Sequence, residues 1–136
     1  MATLEQQRAK FALGKVEGIK GMEPKTRAKY KTQLLKLPAR LHTSGLGQTV
    51  GFYLAAGGDK PEVVICGWLE EWLRESEVYG VSGPLIHWIT GSVPELQNDD
   101  DKAESLYRHA SADVRALAVW LKRFAEAFIE GKSEDD

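Results

Sequence analysis

Residues 25–54 read KTRAKYKTQLLKLPARLHTSGLGQTVGFYL. On a helical wheel of roughly 100° per residue, four cations of this stretch fall within about 60° of one another, and we call them the basic stripe: Lys25, Lys29, Lys36 and Arg40. Apolar residues at helical spacing occupy the adjoining sector: Tyr30, Leu34, Leu37 and Leu41. The pattern predicts a helix with one buried face and a basic stripe beside it.

The second part of this stretch differs because residues 45–54 carry no charge. Gly45-Leu46-Gly47 predicts a turn, and the uncharged run after it predicts a helix that packs in the interior or against a partner. Pro38 lies within the first helix, where it removes one backbone donor. Because the apolar spacing continues to Leu41, we expect the helix to bend at Pro38 and not to end there.

The charge of the chain is unevenly distributed. Residues 1–44 contain ten Lys or Arg and three Asp or Glu, whereas residues 45–136 contain eight and seventeen. This asymmetry predicts a polyanion-binding face, or copies that meet basic side to acidic side, or both. The length of 136 residues suffices for one domain without disulfides or metal. We predict a single helical domain over residues 1–130 and an acidic flexible tail over residues 131–136.

The remaining sequence is marked by helix signals. Thr3 followed by Gln6 is the pattern of a capping box that opens a first helix. Pro61 is typical of a first helical turn and predicts a helix over residues 62–75. Glycines and prolines in residues 79–94 leave room only for a short helix around residues 85–89.

The last helix has the strongest periodicity. Residues 98–101, Asn-Asp-Asp-Asp, predict its N-terminal cap, and the helix is expected to extend from Lys102 to about Glu130. Its apolar positions alternate spacings of four and three: Leu106, Ala110, Val114, Leu117, Leu121, Phe124 and Phe128. No segment alternates with period two, so the predicted fold class is all-α, a bundle of five or six helices. The residues expected to be buried include Trp72, Trp120, Leu117, Leu121 and Phe124.

The search for reactive chemistry is negative. The single cysteine, Cys66, excludes an internal disulfide and favours a reducing compartment, and we expect a cytoplasmic protein without a membrane span. The three histidines, His42, His87 and His109, lack the spacing of metal ligands. Gly45-x-Gly47 follows a helix and matches neither a dinucleotide nor a phosphate-loop motif. We predict no enzyme activity, no cofactor and no metal.

The basic stripe has two interpretations. A solvated helix face is the commoner meaning of any charge run. Contact with a polyanion is favoured here because four like charges align, no acid lies between Lys25 and Arg40, and Arg8 and Lys10 are available from the first helix. No exposed aromatic platform for stacking bases is evident beside the stripe. We therefore expect these six cations to contact the phosphates of a polyanion without reading bases.

Three blocks of the sequence also resemble a known family. They are residues 5–12, residues 29–52 with KLPA at 36–39 and GLGQTVGF at 45–52, and residues 107–126. In this order they resemble the small α-helical subunit, the fifth subunit, of the type III-B CRISPR effector known as the Cmr complex. The resemblance covers nearly the whole chain, and residues 57–100 match least.

The resemblance implies an architectural subunit of an antiviral ribonucleoprotein. Copies of the family protein stack into a short filament beside other Cmr subunits and help to line the channel for guide and target RNA, while catalysis belongs to other subunits. Two other classes remain open. A helix-turn-helix regulator is disfavoured because the helix after Gly47 lacks the polar side chains that read base edges. The enzyme alternative is a ribonuclease that uses His42 near Lys36 or Arg40, and a nuclease assay on the isolated protein would detect it.

Overall fold

The fold is entirely helical in the part of the chain that the computed structural model describes, residues 2–91 and 100–132. Of these residues 82% are helical and none lies in a strand. The helices are α1 (Leu4–Lys20), α2 (Pro24–Ala55), α3 (Pro61–Glu75), α4 (Leu85–Ile89) and α5 (Asp100–Phe128), with a 3-10 turn at Glu77–Tyr79. The predicted all-α class with five or six helices is confirmed.

The helix starts follow the local sequence signals. The Thr3 side chain accepts a hydrogen bond from the Gln6 backbone N–H, and the Gln6 side chain accepts one from the Thr3 backbone, which confirms the capping box. Pro61 stands in the first turn of α3, where its missing N–H costs nothing. The short helix α4 also has the predicted bounds. Of the predicted cap of α5, Asn98 and Asp99 lie outside the described residues.

The chain divides into two compact units, and α2 and α5 each contribute to both. Unit 1 comprises residues 1–43 and 115–136, and unit 2 comprises residues 44–114. The core of unit 1 takes residues from α1, α2 and the end of α5: Ala12, Val16, Ile19, Tyr30, Leu34, Leu37, Leu41, Leu117, Leu121, Ala125 and Ile129. The single domain over residues 1–130 stays a prediction, and residues 133–136 of the expected tail lie outside the described part.

Helix α2 passes through Pro38 and changes direction at Gly45. The backbone of Gly45 has φ 82° and ψ 170°, a conformation that is essentially restricted to glycine. The predicted turn is therefore confirmed at its first residue. Gly47 serves close packing within unit 2, because its N–H donates to the Tyr107 hydroxyl at 3.0 Å, and an added Cβ would lie 3.3 Å from Ile89 and from Tyr107.

Gly45→Ala is expected to lower the free energy of unfolding by about 1–3 kcal/mol, because an L-residue is strained at this φ and ψ. The space around Gly45 is open, so the cost comes from the backbone alone. Gly51→Ala is the matched control, since Gly51 is helical, exposed and equally open. Alanine there should stabilise by about 0.5–1 kcal/mol. Urea denaturation measures the free energy of unfolding of both variants. An unchanged free energy of unfolding for Gly45→Ala would contradict the turn at Gly45.

A buried polar network organises unit 2. Asp113 on α5 is only 4% exposed, and its carboxylate accepts from Trp72 Nε1 at 3.1 Å and from the Tyr79 hydroxyl at 2.9 Å. Trp88 Nε1 donates to the Tyr79 carbonyl at 2.8 Å, and the Tyr79 and Trp88 rings pack edge to face. The network therefore fastens α3, the 3-10 turn and α4 to α5.

The buried face at the C-terminal end of α5 lies one residue later in the sequence than predicted. Trp72, Leu117 and Leu121 are buried as expected. The other two residues expected to be buried, Trp120 and Phe124, are partly exposed, and Phe128 is 42% exposed.

After Leu121 the interior continues through small and aliphatic residues, Ala125 and Ile129. The rings of Trp120, Phe124 and Phe128 form a row along the edge of the helix, with centroids 5.4 and 5.9 Å apart. The prediction failed because periodicity alone ranked large aromatic residues above alanine, whereas close helix packing buries the small side chains.

Candidate nucleic-acid interface

The basic stripe lies on the part of α2 that belongs to unit 1. Lys25, Lys29 and Lys36 are exposed and Arg40 is half-buried. At about 1.5 Å rise per residue, the fifteen residue steps from Lys25 to Arg40 span roughly 22 Å. The adjoining sector of the helix is fixed in the core of unit 1 by Tyr30, Leu34, Leu37 and Leu41, all at most 5% exposed. The predicted buried face is thus confirmed, and it orients the four cations toward one side.

The far end of the stripe is held by a neighbouring amide. Arg40 Nη1 donates to Gln33 Oε1 at 2.5 Å, seven residues earlier on the same helix. Because a guanidinium presents its donors in a planar fork, this bond fixes the orientation of the group. Arg40 is therefore a positioned cation, whereas the three lysines are point charges on longer, more flexible stems.

The two cations predicted from α1 have different surroundings. Lys10 is exposed. Arg8 is half-buried and forms an ion pair with Glu5 at 2.7 Å, and Glu5 also accepts from Trp120 Nε1 at 3.1 Å. These hydrogen bonds, first from Arg8 and then from Trp120, lower the pKa of Glu5. The carboxylate therefore stays charged and offsets part of the Arg8 charge, which makes Arg8 a weaker phosphate ligand than Lys10.

The structure groups charges that the linear sequence separates. The C-terminal half of α5 joins unit 1 and adds Arg115, Lys122 and Arg123 to it. Over the described residues, unit 1 has 14 Lys or Arg and 5 Asp or Glu, and unit 2 has 4 and 10. The sequence-based comparison of residues 1–44 with residues 45–136 assigned these three cations to the acidic part of the chain. The sequence did contain one sign of this grouping. Along α5, acidic residues cluster near residues 100–104 and basic residues follow later.

One more cation of α2 has a structural role. Lys31 Nζ donates to the carbonyl oxygens of Ile129 at 3.0 Å and Gly131 at 2.7 Å, just after the end of α5. Carbonyls at a helix C-terminus lack intrahelical partners, and a lysine there also complements the helix dipole. Lys31 therefore joins α2 to α5 and is excluded from the proposed phosphate ligands.

The aromatic row of α5, Trp120, Phe124 and Phe128, belongs to the same unit as the stripe and is partly exposed. Its rings already have neighbours on α1. The ammonium of Lys20 lies 5.6 Å from the Phe128 ring centroid, and Trp120 donates to Glu5. The row therefore packs α1 against α5.

The other candidates for chemistry are the histidines and the single cysteine. His42, His87 and His109 are exposed, and the described residues contain no group of three His, Cys, Asp or Glu side chains that could hold a metal ion. Burial raises the pKa of the Cys66 thiol to about 11, with a smaller contribution from Glu70. Since the thiolate is the reactive form, Cys66 is a poor nucleophile near neutral pH.

The sequence has a match among known protein families. The sequence profile of the family described as CRISPR-associated protein (Cas_Cmr5) matches residues 4–128. The chain belongs to this family. Membership makes it a subunit of a CRISPR Cmr complex and implies association with other subunits of that complex. No curated protein matches the sequence significantly. Among the described residues, no helix combines the length and the apolar character of a membrane span.

Proposed function

We propose that the protein is a non-catalytic architectural subunit whose copies stack into a short filament within the Cmr complex. Its basic stripe lines the channel that holds guide and target RNA. The observation that carries this proposal is the alignment of Lys25, Lys29, Lys36 and Arg40 along a helix whose adjoining sector is fixed in the core. Family membership supplies the complex in which the stripe acts.

Phosphate contact fits the stripe better than base recognition. Three of its four members are lysines, which bind phosphate as point charges, and the surrounding unit has a large excess of cations. A channel for guide and target RNA must accept every guide sequence. Contacts to phosphates satisfy this requirement because they position the strand without reading its bases.

Replacement of all four stripe residues by Ala in the reconstituted complex is expected to weaken target-RNA binding about equally for every guide sequence. Each phosphate neutralised on a single strand contributes roughly 0.7 to the slope of log affinity against log salt, so the slope should fall by up to about 3. Equilibrium binding at several salt concentrations measures this change. All four residues have exposed or half-exposed side chains, so subunit assembly should persist.

The matched control replaces three exposed cations of unit 2 by Ala: Lys60, Lys102 and Arg108. This variant should keep the parent slope. If the stripe variant binds RNA as well as the parent at each salt concentration, the stripe is only a solvated helix face. If the variant complex fails to assemble, the stripe is a protein interface. RNA cleavage by the isolated chain that His42→Ala abolishes would contradict a non-catalytic role.

A further inference from the structure

A second surface of unit 2 has the features of a protein interface. In the part of α2 after Gly45, four exposed residues lie three or four positions from one another along one side of the helix, with Gly51 and Phe52 adjacent, and we call them the Phe52 face: Gln48, Gly51, Phe52 and Ala55. None is charged, and the Phe52 side chain is 59% exposed. Small residues on both sides of the ring allow another helix to approach closely. Centres of interfaces are depleted in charge and enriched in aromatic residues.

An apolar groove of about 190 Å³ adjoins this part of α2. Val50 and Leu54 line one side, and residues of α3 and of the start of α4 line the other, including Val63, Cys66 and Leu85. Glu70 also lines the groove, but its carboxylate accepts from the Leu85 N–H at 2.5 Å and lies 3.4 Å from Arg74. A partner seated here would therefore not leave the Glu70 charge unpaired.

The outer side of α5 in unit 1 carries the complementary arrangement. Val119 is 46% exposed, and the cations Arg115 and Arg123 lie one helical turn before and after it. Lys122 and Glu126 share this side, which we call the Val119 face. The Val119 face has an apolar centre and a net positive rim. The described residues of unit 1, to which it belongs, include nine more basic than acidic residues.

We propose that the Phe52 face of one copy docks on the Val119 face of the next copy. The proposal rests on the stacking proposed above and assigns the two surfaces that make the contact. Apolar centres meet, and the acidic unit 2 faces the basic unit 1, so charge attracts the correct partner. Contact of two Phe52 faces would instead oppose two acidic units. Because the two surfaces differ, the contact is heterologous and can repeat along a filament.

The test is cross-linking of the full-length chain, alone at high concentration and within the reconstituted complex. A chain carrying Ala55→Cys is mixed with a chain carrying Glu126→Cys, and a short bismaleimide traps the contact even if it is weak. The native Cys66 reacts little because it is buried. The mixed pair should cross-link in preference to either homotypic pair. Replacing Ala55→Cys by Val78→Cys, another exposed site of unit 2, should remove the preference.

Adding Phe52→Glu to the Ala55→Cys chain should lower the mixed cross-link about tenfold or more, as loss of a central aromatic anchor does. Val78→Glu gives the same charge at an exposed apolar position and should leave the yield unchanged. Predominant links between two Ala55→Cys chains, or links from this position to a different Cmr subunit, would overturn the assignment. Either result leaves RNA binding by the stripe intact, so it is distinguishable from failure of the proposed function.

Discussion

Leu121→Ala is expected to lower the free energy of unfolding by about 2–5 kcal/mol. Leu121 is completely buried in unit 1, which also contains α1 and the first part of α2. Truncation removes apolar contacts and leaves a cavity that the surrounding helices fill only in part. Urea denaturation followed by circular dichroism measures the change, with the parent slope retained if the variant still unfolds in one step.

Phe124→Ala is the matched comparison on the same helix, and it should cost only about 1–2 kcal/mol, because the larger ring is already partly exposed. Its contacts with Trp120 and Phe128 account for most of that loss. A loss at Phe124 that equals or exceeds the loss at Leu121 would mean that α5 is rotated relative to the structure described here.

Asp113→Ala should destabilise the protein by about 2–5 kcal/mol, because it leaves the Trp72 Nε1–H and the Tyr79 hydroxyl without their acceptor. Trp72 and Tyr79 are both buried, at 7% and 8% exposure, so water replaces the lost acceptor poorly. Burial of an unsatisfied donor costs more than the hydrogen bond itself contributes. The change should appear in the urea midpoint and in tryptophan fluorescence.

Two further variants separate the network from general damage to the core. Asp113→Asn keeps one carbonyl acceptor and should lose less stability than Asp113→Ala. Tyr79→Phe removes one donor but leaves the Trp72 bond in place, so a loss of about 1 kcal/mol is expected. Equal stability of Asp113→Ala and the parent would show that the carboxylate is not a structural acceptor.

Helix boundaries were predictable because their causes are local. The Thr3 capping box, Pro61 in the first turn of α3 and the glycine turn at Gly45 each depend on a few adjacent residues. The same holds for the alignment of the basic stripe, since helical geometry alone places residues 25, 29, 36 and 40 on one side.

The availability of each cation could not be predicted in this way. Arg8 pairs with Glu5, Arg40 is oriented by Gln33, and Lys31 binds carbonyl oxygens about a hundred residues away. Periodicity predicts which side of a helix faces outward, but the partners of a long polar side chain depend on which other segments lie within reach.

The sequence by itself determined the helical class, most helix ends, the basic stripe and the family resemblance, because these depend on short-range patterns and residue identity. Only the tertiary structure decided which residues of α5 are buried and which charges act together. Ala125 and Ile129 displace Phe124 and Phe128 from the interior because close packing against other helices favours small side chains there. Arg115, Lys122 and Arg123 join the cations of α1 and α2 because folding brings residues 115–132 beside residues 2–43.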